Sequence, residues 1–187
     1  MIEFDQAVGW QALEERLAET ESPRQRTLLQ CVIDHAKAEA VGDVDGLMAT
    51  LVAEPRYHFW SARGDTGPKG AAGVRKYYED YIKGGGAILM SRKDRIAVDD
   101  RTIIHEGVIS TLASWQIAKA RGYTIPEEKG HYLLRMRSVI LWSFDDAGRA
   151  YGEDSYTTIE PDDFDKLDHA DLPQVYVDYL ASIGHQI

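Results

Sequence analysis

The stretch SVILWSFDDAGRAYGEDSY, from Ser138 to Tyr156, predicts a β-hairpin. Two runs rich in β-branched and aromatic residues flank Asp145–Gly148, an acidic segment ending in glycine that is typical of a tight turn. Successive strand side chains point to opposite faces of a sheet, so Glu153 and Asp154 must lie on different faces. One carboxylate is therefore expected inside the protein, where burial disfavours its charged form and suits a general acid or base.

The length of the turn decides which carboxylate is enclosed. A four-residue loop over Asp145–Gly148 would place Ile140 opposite Glu153. In the same register Trp142 would face Tyr151. This face carries the apolar neighbours, so Glu153 is expected to point to the interior. One extra residue in the turn, or a bulge, would instead place Asp154 in the interior.

The composition is that of one soluble globular domain. A chain of 187 residues can bury a single core. The net charge of −10 and the lack of clustered Lys and Arg argue against nucleic acid or a membrane surface as partner. The N-terminus lacks the pattern of a secretory signal, so a cytoplasmic location is expected. The single cysteine, Cys31, excludes an intrachain disulfide, and no zinc-binding motif is present, so we expect no metal.

The predicted helices come first and the predicted strands follow. Apolar spacing predicts helices over Asp5–Glu19, from Pro23 to a stop at Gly42, in a short segment after Asp43, and over Ala71–Lys83. Strands are predicted over residues 55–60, 87–98, 102–115, 131–144 and 150–158. A polar loop, residues 116–130, and an acidic, partly helical tail complete the chain. This order predicts an α+β fold whose sequential strands are antiparallel.

The succession of elements resembles a known superfamily. An amphipathic helix is followed by DVDGLMATLVAEP, RYHFW and GPKGAAGVRKYYEDYI, and then by long strands. From Arg24 to Thr158 this order resembles the nuclear transport factor two-like superfamily and, within it, the SnoaL-like polyketide cyclase branch. The resemblance implies a cone-shaped, curved antiparallel sheet wrapped by N-terminal helices, also called cystatin-like. We expect one domain over residues 1–187, with a helical extension over 1–22 and a helical tail over 161–187.

The resemblance also implies a function. Its enzymes hold a small apolar molecule in a deep pocket, act without metal or organic cofactor, and are usually homodimers. We expect a lyase acting on a small aromatic substrate by elimination, dehydration or retro-aldol cleavage, such as formaldehyde loss from lignin-derived diaryl compounds. An isomerase or a polyketide cyclase is the first alternative. A non-catalytic binding module, or the small subunit of a larger oxygenase, is the second.

Several residues are candidates for the chemistry. His58, in the aromatic strand, can exchange a proton near neutral pH, although such a histidine can also be a hydrogen-bonded core residue. His105 and Glu106 must face opposite sides, and Glu106 is taken as the inward one. Arg137 is a candidate for oxyanion stabilisation, with an ion pair to Asp154 as its alternative. The candidates for catalysis are therefore His58, Glu153, Glu106, Arg137 and Tyr81.

Aromatic side chains are abundant and are expected to divide between core and pocket. Those that line a cavity would favour a flat ligand through stacking. His131 begins a strand after the long loop and is placed at the pocket mouth. The candidates for substrate binding are Trp60, Tyr78, Trp115, His131, Trp142 and Tyr151.

Overall fold

The computed structural model describes residues 3–61, 64–158 and 164–184. In this part of the chain six α-helices accompany one seven-stranded sheet. The helices are α1 (Val8–Glu19), α2 (Pro23–Val41), α3 (Val44–Ala49), α4 (Gly70–Lys83), α5 (Trp115–Ala120) and α6 (Gln174–Ser182). The strands are β1 (His58–Ser61), β2 (Gly64–Asp65), β3 (Leu89–Val98), β4 (Thr102–Ser114), β5 (His131–Phe144), β6 (Ala150–Thr158) and β7 (Phe164–Leu167).

Helices α2 and α3 begin where the sequence predicts, whereas α1 begins at Val8, three residues after the predicted start at Asp5. Pro23 occupies the first turn of α2, and the Ser22 side chain accepts a hydrogen bond from the Gln25 amide. Gly42 ends the helix with φ +73°, a conformation that glycine adopts without a Cβ clash. The Asp43 side chain then caps α3. Together these signals fix the ends of α2 and the start of α3, two helices that contribute side chains to the core.

The sheet confirms the α+β class. Its strand order is β2-β1-β6-β5-β4-β3, and β7 pairs with β5. The long strands β3 to β6 are antiparallel, whereas β1 runs parallel to β6. Three elements were not predicted: β2 follows the predicted aromatic strand, α5 occupies the start of the predicted polar loop, and β7 lies in the predicted tail. The predicted tail boundary at residue 161 lies outside the described residues.

The β5–β6 hairpin contains both irregularities that the register depends on. The five residues 145–149 separate Phe144 from its partner Ala150, one more than a four-residue loop. A bulge follows, because the next pair is Ser143 with Gly152. Either change alone would shift the pairing by one residue and turn the inward-facing side chains of β6 outward. Together they shift the pairing by two residues, so the same side chains of β6 face the interior as in the predicted register.

Glu153 therefore points inward, as predicted, although its partner differs. It lies opposite Trp142, and Ile140 lies opposite Ser155. The predicted pairs Ile140–Glu153 and Trp142–Tyr151 are wrong by two residues.

Helices α1, α2 and α4 pack on the inner face of the sheet and enclose its main core. The core contains Leu28, Leu29, Val32 and Ile33 from α2, and Val74 and Tyr78 from α4. Helix α1 adds Leu13 and is tied to β3 by a hydrogen bond from Lys93 Nζ to the Gly9 carbonyl. In the described part of the chain, no helix has the length and apolar character needed to cross a bilayer.

Candidate active site

A cavity of about 420 Å³ lies between the helices and the inner face of the sheet. Most of its wall is apolar and aromatic, so it suits a small ring-bearing molecule. This wall includes Trp10, Leu13, Val32, Phe59, Tyr77, Tyr81, Ile109, Met136, Ile140 and Trp142. Five ionisable side chains of other types also line it: His35, Glu39, Lys93, His105 and Glu153.

The Glu153 carboxyl is held inside this cavity. Its side chain is 15% exposed, since it faces the cavity and not bulk solvent. Burial raises the pKa of Glu153 to about 8, and the nearby charge of Glu39 acts in the same direction. Lys93 and the Tyr78 hydroxyl oppose this shift without cancelling it. At neutral pH Glu153 is therefore mainly a carboxylic acid.

A second carboxyl and an amine share the cavity with Glu153. Burial raises the pKa of Glu39 to about 7, with the Lys93 charge opposing the shift. Burial lowers the pKa of the Lys93 amine to about 8, although both carboxylates favour its charged form. Lys93 Nζ also donates to the Ser91 carbonyl at 3.2 Å and lies 3.3 Å from Ser91 Oγ. The amine is thus a fixed donor in the wall.

A buried hydrogen-bond network lies next to Glu153. His35 Nδ1 is 2.7 Å from Thr50 Oγ1, and His35 Nε2 is 2.8 Å from the Tyr78 hydroxyl oxygen. The Tyr78 hydroxyl in turn donates to the Tyr57 hydroxyl at 3.0 Å. Burial lowers the pKa of His35 to about 3, so the ring is neutral and its 3.8 Å approach to Glu153 Oε1 is not an ion pair.

His105, and not Glu106, faces the cavity. Trp142 Nε1 donates to His105 Nε2 at 3.3 Å, and burial holds the pKa of His105 well below its usual value. Glu106 lies on the outer face, where it pairs with Arg95 at 2.6 Å and with Arg137. The hydrogen bond from Arg95 is the main cause of its lowered pKa. The expectation of an inward Glu106 is wrong. The side chains of Ile103, His105 and Ile109 lie on the inner face of β4, so Glu106, next to His105, lies on the outer face.

His58 lies outside the main cavity. Strand alternation turns Phe59 inward and His58 outward. His58 lines a groove on the outer face of the sheet, the outer groove, together with Tyr151 and Asp154. There His58 Nδ1 lies 2.8 Å from Asp65 Oδ2 and 3.1 Å from Lys69 Nζ, and the ring stacks on Trp60. The expectation that His58 acts together with Glu153 as a catalytic residue of the main cavity is therefore wrong on geometric grounds.

Arg137 also lies on the outer face of the sheet. It pairs with Asp94 at 2.8 Å and with Glu106, so the predicted ion pair with Asp154 is wrong. The two-residue register shift explains this, since it places Arg137 opposite Thr158. Arg137 does not line the cavity, so it is not placed to stabilise an oxyanion there.

The aromatic candidates divide between the cavity and other parts of the molecule. Tyr78, Tyr81 and Trp142 line the cavity, and Trp60 borders it while remaining 42% exposed. The other three lie elsewhere. Trp115 packs in a separate core cluster, His131 contacts Tyr176, and Tyr151 is exposed beside the outer groove.

Sequence reasoning missed His35, Glu39 and Lys93. A usable signal was present in α2, because Leu28, Val32, His35 and Glu39 recur at helical spacing on one face. A histidine and a glutamate that continue an apolar stripe are candidates for the interior. Lys93 gave no such signal, since an alternating strand near a surface commonly carries lysine.

Within residues 3–61, 64–158 and 164–184, no group of three or more His, Cys, Asp or Glu side chains is arranged to hold a metal ion. Every buried side-chain nitrogen or oxygen of these residues has a hydrogen-bond partner.

Comparison with known proteins relates this architecture to solved structures. No protein-family model matches the sequence, and no curated protein matches it significantly. A Shewanella putrefaciens protein assigned as a SnoaL-like polyketide cyclase aligns over 91% of this chain and 94% of its own, with 12% identity and a TM-score of 0.58. Its counterpart from Shewanella denitrificans aligns over 83% and 97%, with 13% identity and a TM-score of 0.55.

A third neighbour was solved with a bound ligand. A Mycobacterium tuberculosis protein in complex with estradiol-17beta-hemisuccinate aligns over 74% of this chain and 98% of its own, with 14% identity and a TM-score of 0.51. Identities this low establish the fold and leave the reaction open. The chain therefore has the cystatin-like, nuclear transport factor two-like α+β fold, and SnoaL-like proteins are among its structural neighbours, as the order of its sequence elements predicts.

Proposed function

We propose that the protein is a cofactor-independent acid/base enzyme that acts on a small aromatic molecule bound in the main cavity. The observation that carries this proposal is the pair of buried carboxyls, Glu153 and Glu39, whose pKa values rise to about 8 and about 7. Between about pH 7 and 8 such a pair holds about one proton between its members, so one acid and one base coexist. Glu153, with the higher pKa, is the acid and Glu39 is the base.

Lyase chemistry uses an acid and a base together. In a fragmentation that releases formaldehyde, Glu39 takes the hydroxyl proton of a substrate hydroxymethyl group. The oxygen of that hydroxymethyl group becomes the carbonyl oxygen of formaldehyde. The adjacent carbon–carbon bond breaks, and its electrons form a carbon–carbon double bond. A hydroxyl on the next carbon leaves as water, protonated by Glu153. The reaction balances without an oxidant or reductant, so no redox cofactor is required.

The rest of the cavity supports this assignment. Burial holds the pKa of Tyr81 well above its usual value, so its hydroxyl keeps a proton to donate to a developing oxyanion. Tyr77 and Tyr81 are stacked at 5.5 Å and offer a ring surface to an aromatic ligand. The steroid derivative bound by the mycobacterial neighbour shows that this fold accommodates apolar ring systems. A homodimer is part of the proposal, and gel filtration of the purified protein tests it.

A pH profile tests the proposal. We expect kcat/KM for a diaryl 1,3-diol, followed by formaldehyde release, to be bell-shaped with its maximum between about pH 7 and 8. The acid limb reports Glu39, which must lose a proton to act as base, and the alkaline limb reports Glu153, which must keep one. Glu39→Gln should abolish the acid limb together with most of the activity.

Two other outcomes would identify a different function. Rearrangement or ring closure of β-dicarbonyl and polyketide analogues, without formaldehyde or water loss, would indicate an isomerase or a cyclase using the same acid and base. Tight binding of these compounds without any conversion would indicate a binding module and would contradict an enzymatic role.

A further inference from the structure

His105, a buried histidine of the cavity wall, has no part in the proton transfers proposed for Glu39 and Glu153. Trp142 Nε1 donates to His105 Nε2 at 3.3 Å, and an indole nitrogen can only donate. His105 Nε2 must therefore offer a lone pair, so the imidazole is neutral and carries its proton on Nδ1. Burial and the charge of Lys93 hold the pKa of His105 well below its usual value, which also favours the neutral ring.

The Nδ1–H group of this tautomer opens on the cavity. His105 is one of the residues that line the cavity wall. In the part of the chain that the structure describes, every fully buried side-chain nitrogen or oxygen has a hydrogen-bond partner, whereas the described residues provide none for His105 Nδ1. This nitrogen is therefore not sealed in the core, and its proton is available to a bound molecule.

Lys93 places a positive charge beside this donor. It pairs with Gly107 across β3 and β4, and His105 lies two residues from Gly107 on the same face of β4. The three protons of the Lys93 ammonium are used by the Gly9 carbonyl, the Ser91 carbonyl and Ser91 Oγ. Lys93 thus acts on a bound molecule through its charge, which favours a negatively charged oxygen at His105 Nδ1.

We propose that His105 is a further catalytic residue: fixed by Trp142 as the Nδ1–H tautomer, it donates a hydrogen bond to an oxygen of the bound aromatic molecule that carries or develops negative charge. Phenolates, and substrates that react through an alkoxide or an enolate, are the ligands that such a donor recognises. In the proposed reaction this oxygen is that of the hydroxymethyl group, which gains negative charge as Glu39 removes its proton. That assignment rests on the proposed function, whereas the tautomer and the recognition of an anionic oxygen do not.

The other titratable side chains of the cavity wall come from each surrounding element. They are His35 and Glu39 from α2, Tyr77, Tyr78 and Tyr81 from α4, Lys93 from β3, Glu153 from β6 and Tyr123 after α5. Among them, Lys93 is the group whose charge acts on the pKa of His105, and it acts in the same direction as burial. The imidazole should therefore stay neutral while the carboxyls of the cavity titrate.

Nitrogen-15 NMR of histidine-labelled protein tests the tautomer, with His105→Asn to assign the signals. We expect the neutral Nδ1–H form of His105 between about pH 5 and 9. Trp142→Phe removes the indole donor, so the Nε2–H form should appear beside it. An Nε2–H tautomer or an imidazolium in the wild type would overturn the proposal, as would an unchanged tautomer in Trp142→Phe.

His105→Asn and His105→Leu are a matched pair that tests the donor. The two new side chains have nearly the same shape and both lack the acceptor for Trp142, but only the amide can place an N–H near the position of Nδ1. Binding of para-nitrophenolate, followed by quenching of tryptophan fluorescence, should be about 10- to 100-fold weaker in His105→Leu than in His105→Asn, the loss of one hydrogen bond to a charged group. Uncharged para-nitroanisole should bind equally to both variants. Equal binding of the phenolate by both variants, or an equal loss of both ligands in His105→Leu, would overturn the proposal.

Kinetics separates this inference from the proposed reaction. His105→Leu should lower kcat/KM by about 10²- to 10³-fold, the usual cost of losing one oxyanion donor. Both limbs of the pH profile should remain, because His105 supplies a hydrogen bond and no proton. A protein that binds para-nitrophenolate through His105 but releases no formaldehyde would contradict the proposed reaction and support this inference. Wild-type kcat/KM in His105→Leu would overturn the inference and leave Glu39 and Glu153 as base and acid.

Discussion

Glu153→Gln is expected to lower kcat/KM by about 10²- to 10⁴-fold, the usual contribution of a positioned general acid. Glutamine keeps the size and polarity of the side chain but cannot release a proton to a leaving group. It also removes a carboxyl whose ionisation burial disfavours, so the variant should be folded and at least as stable as the wild type at pH 7. Steady-state kinetics at several pH values, together with a denaturation curve, separates lost chemistry from lost structure.

Asp154→Asn is the matched control for this variant. Asp154 is the next residue on β6 and carries the same functional group, but it faces the outer groove beside His58 and Tyr151. The substitution should leave kcat/KM within about twofold of the wild type, as for a surface change outside the site. Equal losses in the two variants would show that the carboxyl inside the cavity has no special role.

Gly152→Ala is expected to destabilise the protein by about 3 kcal/mol or more. Gly152 follows the β6 bulge with φ +147°, a conformation that residues with a Cβ rarely adopt. A Cβ placed there would lie 2.2 Å from the Arg56 carbonyl oxygen and 3.0 Å from the Tyr57 ring. The backbone at Arg56, just before β1, would have to move, because it cannot relieve the contact by rotating as a flexible side chain can. Urea denaturation monitored by tryptophan fluorescence measures the loss.

Gly73→Ala provides the control for this prediction. Gly73 lies within α4, and a Cβ built there meets no atom within 4 Å. Alanine favours helix over glycine by about 0.5–1 kcal/mol, so this variant should be slightly more stable than the wild type. A Gly152→Ala protein as stable as the wild type would mean that the bulge does not fix the path of β6.

Much of the fold could be predicted because its signals are local. The cap at Ser22, the stop at Gly42 and the alternating strands each depend on a few neighbouring residues. The hairpin register could not be predicted in this way. The loop 145–149 and the bulge before Gly152 each reverse the faces of β6, and only their combination returns Glu153 to the interior.

The membership of the site was harder to predict than the fold. The orientations of His58 and Glu106 depend on which face of each strand meets the helices, and that is a property of tertiary packing. His35 and Glu39 lie on the apolar stripe of α2, where a polar residue is commonly read as an interruption. Their roles follow from partners such as Thr50, Tyr78 and Lys93, which are distant in sequence.

The most direct test of the central claim is the titration of the Glu153 carboxyl itself. Carbon-13 NMR of glutamate-labelled protein, compared with Glu153→Gln for assignment, reports its protonation between pH 4 and 10. The buried carboxyl should titrate with a midpoint near pH 8, as a group that is mainly protonated at neutral pH. A midpoint near 4.5, the ordinary value for glutamate, would contradict its role as the acid of the cavity.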